Sequence, residues 1–295
     1  GILENGVITG IDGYEYPIPT LEQIATRLFE RRKELKTKHD QGFTKLLLVP
    51  FGMSLDSLRE VLKQFLLSYK QNNPTFDLDT DKPLWAWEDY QGADTGDSPK
   101  LVYHPQSFTQ DGHGGKTKME ILKEQAEGRW TPTSVGVAGE EGRTSPGWTI
   151  HLLQSSDPSN IDSPGFAPIP RQGKGTSQGD LTPRPPLEAG KTPNEHLSTL
   201  QKAQDDPTSS YLHESGLTPE DWIMAFMTHL EETQLPLDNW QNDIESIPYL
   251  TGAFFRSLNR VPFAHWNFNF NRINLERIPT GFRGANMGIR TSVIV

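Results

Sequence analysis

The sequence predicts an α+β protein. Two patterns carry that expectation: capped segments whose apolar residues recur at helical spacing, and short apolar runs of strand length closed by proline or glycine. Composition bounds it. Hydrophobic residues are 34% of the 295, with 26 Gly and 23 Pro, so much of the chain is loop around a core that seven Trp and fourteen Phe can fill.

The elements read as follows. Thr20 and Gln23 suit a capping box ahead of Leu21, Ile24, Leu28 and Leu35, which recur near helical spacing. KLLLVPF (45–51) reads as a buried strand closed by Pro50. Ser54 then caps a helix with Leu55, Leu58, Val61, Leu62 and Phe65 on one face. LWAWEDY and KLVYHP read as strands or strand edges, KTKMEILKEQAEG as a short helix, and GWTIHLL (147–153) as a strand. The Pro- and Gly-dense stretch at about 155–193 is too long for an ordinary connection, so it wraps a scaffold or forms a functional loop.

Thr192 and Pro193 open the next helix. Thr218 as N-cap, Pro219 at the first turn and Asp221 at N3 open a longer one. Trp222, Ile223, Phe226, Met227 and Leu230 form its stripe, and Pro236 is expected to stop it. YLTGAFF (249–255) and GIRTSVIV (288–295) read as strands bracketing the C-terminal region.

A net charge of −10 argues against a general nucleic-acid surface, which needs phosphate-neutralising cations. The absence of cysteine excludes disulfides, thiolate metal sites and cysteine nucleophiles. No apolar run approaches the roughly 20 residues of a membrane span. The first residues have neither a basic region nor a continuous apolar stretch, so no signal peptide is expected and the localisation stays open.

Chemical motifs are sparse. DGHGGKT (111–117) before a helix partly fits a phosphate loop, yet Gln110 stands where glycine is needed and no apolar strand precedes it. His104, Asp111 and His113 are a possible metal set without tight helical spacing. His151, His196, His213 and His229 are scattered, no nucleophile elbow is present, and the adjacent Glu231 and Glu232 face apart on a helix. No catalytic constellation emerges, and neither a cofactor nor a metal is expected.

The tail differs. From Thr251 to Val295 it carries six arginines, no lysine and one acid, Glu276. Asn267, Asn269 and Asn271 alternate with Phe268 and Phe270 beside Trp266, a mixture that suits neither a buried nor an exposed strand. A binding surface accommodates both types: aromatics supply contact area, and Asn and Arg supply adaptable hydrogen bonds. Asn codons AAC and AAT, mutated at their adenines, reach Phe, His, Ile and Arg among others and never a stop. They do not reach Lys or Gln, which the tail lacks, nor Glu276 and Met287.

RVPFAHW (260–266), the arginines and leucine after it, and GIRTSVIV resemble the C-terminal variable region of target proteins of diversity-generating retroelements. GLTPEDW, HLEET, DNWQ, YLTGAFF and EAGKTPNEHL resemble segments preceding that region in a bacterial branch. The likeness runs from about Lys191 to Val295, with weaker echoes in LLLVPF and KPLWAWEDY.

The resemblance implies a C-type-lectin-like fold with long loop insertions over about 79–295, preceded by a helical N-terminal part over about 1–78. Thr192–Gln204 and Pro219–Thr233 would be its two helices. It also implies a hypervariable region at about 255–290 whose ligand is an unknown protein or surface group. The expected ligand-binding residues are Arg260, Phe263, His265, Asn267, Phe268, Asn269, Phe270, Asn274, Glu276, Ile278, Phe282, Gly284, Ala285, Asn286 and Met287. Trp266, Leu275, Gly288 and Arg290 are the expected framework, with Arg290 needing a buried carboxylate or carbonyl. A tail with one acid fits a calcium sugar site poorly, and related oxidases need cysteines, so a non-enzymatic role is expected. Two other readings stay open: an enzyme with a phosphate or metal site in the 104–117 loop, and a self-associating surface or phage protein.

Overall fold

Short apolar segments between proline and glycine set the start of the chain. In the computed structural model, which describes residues 6–128, 145–160, 162–174, 184–239 and 245–295, strands β1 (Val7–Thr9) and β2 (Glu15–Pro17) form a small hairpin. Helix α1 (Leu21–Glu30) begins at the Thr20–Gln23 capping box, and α2 (Arg32–Asp40) follows after a break at Arg31. Ile24 and Leu35 are buried, but Leu21 is 84% exposed and lies off the apolar stripe. Strand β3 (Phe43–Val49) leads to α3 (Leu55–Asn72), capped by Ser54. Then come β4 (Leu84–Ala86), a 3-10 turn at Glu88–Tyr90, β5 (Leu101–Tyr103), α4 (Lys118–Ala126) and β6 (Thr149–Gln154).

Helix α5 (Pro193–Gln204) opens on a Thr192–Glu195 box, and β7 (Glu214–Gly216) connects it to α6 (Pro219–Thr233), which opens on a Thr218–Asp221 box. Gln234 ends α6 in the left-handed conformation (φ 61°), two residues before Pro236. The C-terminal strands are β8 (Ile247–Tyr249), β9 (Ala253–Phe255), β10 (Arg260–Asn267), β11 (Arg272–Pro279), β12 (Met287–Ile289) and β13 (Thr291–Ile294).

Two larger sheets result. One is four-stranded and antiparallel, in the order β3-β6-β13-β7. The other has seven strands: β12-β8-β10-β11-β4 in sequence, with β9 pairing β10 and β5 pairing β9. KLLLVPF is thus an edge strand: Leu47 and Val49 point into the core, and Leu46 points the other way and is exposed. YLTGAFF and GIRTSVIV, each read as one strand, are each divided in two. A turn at Leu250–Gly252 separates β8 from β9, and Arg290 separates β12 in one sheet from β13 in the other.

The main core lies between α3, α6 and the β10–β11 hairpin. Leu55, Leu58, Leu62 and Leu66 meet Trp222, Ile223, Phe226 and Leu230, and these meet Ala264, Trp266, Ile273 and Leu275. Fully burying one such Leu, Ile or Phe side chain is worth about 1.5–3 kcal/mol before entropy is counted. Residues 6–78 are therefore not a separate helical unit: they contain three strands, and α3 shares its core with α6. The described part of the 155–193 stretch wraps the scaffold, with Phe166, Ile169, Leu187 and Ala189 buried. Ile169 and Ala189 lie so close to Gly288 that a Cβ there would stand 2.8 Å from Ile169 Cγ2 and 3.2 Å from the Ala189 backbone.

Arg290 is buried at the junction of the sheets. Its Nη2 donates to Asp238 Oδ1 (2.5 Å), its Nε to Asp238 Oδ2 (3.2 Å), and its Nη1 to the Ala167 carbonyl (2.6 Å). Asp238→Ala leaves that guanidinium buried and unpaired, so it should cost about 3–5 kcal/mol of unfolding free energy. Arg283→Ala, which removes an exposed pair with Glu195, should change it by about 1 kcal/mol or less. Urea midpoints of both variants check the contrast.

Candidate ligand-binding face

In an antiparallel pair, residues in register share a face, and the faces alternate along each strand. On the hairpin, Ala264 pairs with Leu275 and Trp266 with Ile273, and these four point into the main core. The opposite, outer face carries Val261 with Ile278, Phe263 with Glu276, His265 with Asn274, and Asn267 with Arg272. Six expected ligand residues (Phe263, His265, Asn267, Asn274, Glu276 and Ile278) thus share one face, and the framework residues Trp266 and Leu275 occupy the other.

The outer face is only partly open. Phe263, His265, Asn274, Ile278 and Met287 are buried, contrary to a wholly exposed surface. At one end a second apolar core covers it: Leu187 with Leu197 and Leu200 of α5 packs with Tyr249, Val261, Phe263, Ile278, Met287 and Ile289. Ile278 and Met287 are therefore packing residues.

A polar network occupies the middle. Asn274 Nδ2 donates to Glu276 Oε1 at 3.0 Å, His265 Nε2 lies 3.2 Å from the same oxygen, and Arg272 Nε donates to Asn274 Oδ1 at 3.3 Å. His265 Nδ1 lies 3.2 Å from the Trp266 carbonyl, so each ring nitrogen faces an acceptor. Burial opposes ionisation of Glu276, but the His265 and Asn274 hydrogen bonds and the nearby positive charge outweigh it and hold its carboxyl below the usual value.

Two residues that sequence reasoning assigned only to a strand join this face. Trp85 is in register with Asn274, and Trp87, two residues on, donates its backbone N–H to the Leu275 carbonyl. Their rings lie 5.4 Å apart at 69°. The signal was available: two tryptophans at i and i+2 in a strand must share a face.

The Asn/Phe run is the turn of the hairpin. Asn267 Oδ1 accepts the Asn269 N–H at 3.1 Å, an Asx turn, and Asn271 adopts φ 48°, which asparagine tolerates best after glycine. Asn271 Nδ2 also donates to Asp77 (2.7 Å). Phe268 packs on the main core beside Trp266, while Asn269 is exposed and Phe270, 56% exposed, lies under the Arg272 guanidinium. Three members of the run (Asn267, Phe268 and Asn271) thus serve folding, and two are free for contact.

The remaining expected residues lie elsewhere. Arg260 is half-buried at the far end of β10, with Nη1 on the Leu258 and Asn259 carbonyls. Phe282 and Ala285 are exposed, and Gly284 and Asn286 half-buried, in the loop before β12. That loop is tied to α5 through the bidentate Arg283–Glu195 pair.

The 104–117 loop does not gather a site. His104 is held in a buried environment that pushes its imidazole down to about 4, and Asp111 is exposed. His113 Nδ1 accepts the Gly115 N–H. The start of α4 is filled by the Thr117–Glu120 capping box, and Lys116 pairs with Glu124, so neither is offered to a phosphate. Among the described residues no group of three or more His, Asp or Glu is placed to hold a metal, and no helix is long and apolar enough to cross a membrane.

No known protein family, curated protein or solved structure matches the chain.

Trp266→Ala should cost about 3–5 kcal/mol as a core truncation, and Asn269→Ala and Phe270→Ala about 0.5 kcal/mol or less, read from urea midpoints. A second expectation concerns acid. Because Glu276 is more acidic folded than unfolded, its contribution is present above its ordinary value of 4.5 and is lost as pH falls through the folded value. Glu276→Gln should therefore lose less stability than the parent chain when unfolding is compared at pH 6 and about pH 3.

Proposed function

We propose that the chain is a ligand-binding protein whose C-terminal region is diversified by adenine-directed retroelement mutagenesis and displayed on a C-type-lectin-like scaffold. The observation that carries this reading is the division of the β10–β11 hairpin. Six of the residues that the resemblance assigns to variation share the outer face, and the framework tryptophan and leucine stand on the inner one. Such a division lets side chains change on one face while the core stays packed on the other.

The scaffold reading draws on the same resemblance. It gains support from the order of elements, in which α5 and α6 precede β8 to β12 of the seven-stranded sheet and the last strand closes a sheet begun by β3. Binding is favoured over catalysis because the outer face brings together aromatic and amide groups around one carboxylate. Those groups recognise shape and hydrogen-bonding pattern, and no Ser, Thr, Lys or Cys nucleophile stands among them. The buried positions narrow the surface: Asn269, Phe270, Arg272 and Glu276 on the hairpin, with Phe282 and Ala285 beyond it, are the residues open to a ligand.

Sequencing the DNA around the gene tests this. The expected result is a near-repeat of the segment encoding the tail, differing at adenines and lying beside a reverse-transcriptase gene. A tail present once, with no such neighbour, overturns the reading.

A further inference from the structure

We propose that Trp85 of the edge strand β4 and Trp87 just beyond that strand, together with the Glu276 carboxylate, hold a cationic side chain of a protein partner. The proposal rests on the reading of the hairpin's outer face as a ligand surface and names one chemical group that its ligand brings.

Three features converge there. The two indoles form a corner, with Trp87 41% exposed, and an aromatic face attracts a cation through its quadrupole. Glu276 directly follows Leu275, whose carbonyl takes the Trp87 N–H, and is paired across the hairpin with Phe263. Its Oε1 takes the bonds from His265 and Asn274, Oε2 makes no hydrogen bond among the described residues, and the side chain is 25% exposed. The protein already builds this arrangement once at the same place: the Arg277 guanidinium lies 4.9 Å from the Trp87 ring centroid and bonds Asp89. A second cation meeting Trp85 and Glu276 repeats that chemistry with a group from outside.

Charge favours such a partner. The segment bearing the tryptophans, 77–97, contains Asp77, Asp79, Asp81, Glu88, Asp89 and Asp97 besides the buried Asp94, against the single Lys82. Nearby cations are already engaged, Arg272 by Phe270 and Asn274, and Arg277 by Trp87 and Asp89. A chain of net charge −10 draws a basic partner toward it by long-range attraction. A glycan stacked on the indoles would need the rings but not the carboxylate, and the acid-rich setting favours the cation.

The test follows indole N–H resonances of the full chain during titration with a hexaarginine peptide and, separately, with hexacitrulline, its uncharged counterpart. The expected result is a shift of the Trp85 and Trp87 signals with the arginine peptide alone. Trp85→Ala and Glu276→Gln should each weaken binding about three- to tenfold, while Glu60→Gln, which alters an exposed acid on α3, should not change it. Equal responses to both peptides, unmoved indoles, or affinity unaffected by both site variants would overturn the proposal. So would shifts with neutral cellohexaose and none with the arginine peptide, which place a glycan there instead. The flanking-DNA result decides the variable-region reading separately, so the two can fail apart.

Discussion

The pairing of Arg290 with Asp238 is the contact on which the arrangement of the two sheets depends. Ile289 is the last residue of β12 in one sheet and Thr291 the first of β13 in the other, so Arg290 alone bridges them. Removing a guanidinium from water costs several kcal/mol unless its donors are met. Here Nε and Nη2 meet Asp238 and Nη1 meets Ala167, while Asp238 also takes the Trp222 indole N–H at 2.9 Å. One buried charge therefore fixes the segment after α6, the wrapping loop at Ala167 and the core tryptophan of α6 together. Apolar pairs of the same volume often match the stability of a buried ion pair, but they do not dictate hydrogen-bond geometry as this one does.

The first turn of helix α6, just before Trp222, is held by a second polar cluster. Lys118 Nζ, fully buried, meets Asp94 at 2.6 Å and Glu220 at 2.8 Å, and the Tyr103 hydroxyl donates to the same Glu220 oxygen at 2.7 Å. Asp221 caps the helix and lies 3.2 Å from His151. Burial pushes the Asp221 carboxyl up to about 7 and the His151 imidazole down to about 3, so this contact lies inside the fold without demanding two full charges. With its first turn fixed by these contacts and Glu232 in its last turn paired with Lys45, the apolar stripe of α6 becomes a rigid floor. Phe226 stacks on Trp266 at 6.2 Å, and the hairpin's inner face inherits that rigidity.

Local signals in the sequence were legible because their physics is local. The Thr20, Ser54, Thr192 and Thr218 caps each sit at a helix start, since a side-chain oxygen and a nearby N–H suffice to define one. The Asn/Phe run was legible only in part. Its asparagines supply an Asx turn and a left-handed residue, which is turn chemistry that alternation with phenylalanine disguised. The burial of Ile278 and Met287 could not be read locally, because α5 and Leu187, distant in sequence, cover them. The division of GIRTSVIV was hidden for the same reason: only the partners of Arg290 show that the strand changes sheets there.

These contacts also limit how the outer face can change. A side chain there is free to vary only if no distant element is built on it. Phe263, Ile278 and Met287 fail that condition because the second core closes over them. His265 and Asn274 fail it less severely: they are buried, but what they touch is chiefly Glu276, Arg272 and each other's strand, so a compensated set could replace them together. Asn269, Phe270, Phe282 and Ala285 meet it outright. The surface is therefore graded, from a packed end under α5, through a coupled polar middle, to an open turn. Diversity is cheapest at the turn, and in the middle it must come as sets of residues that preserve the hydrogen-bond count around Glu276.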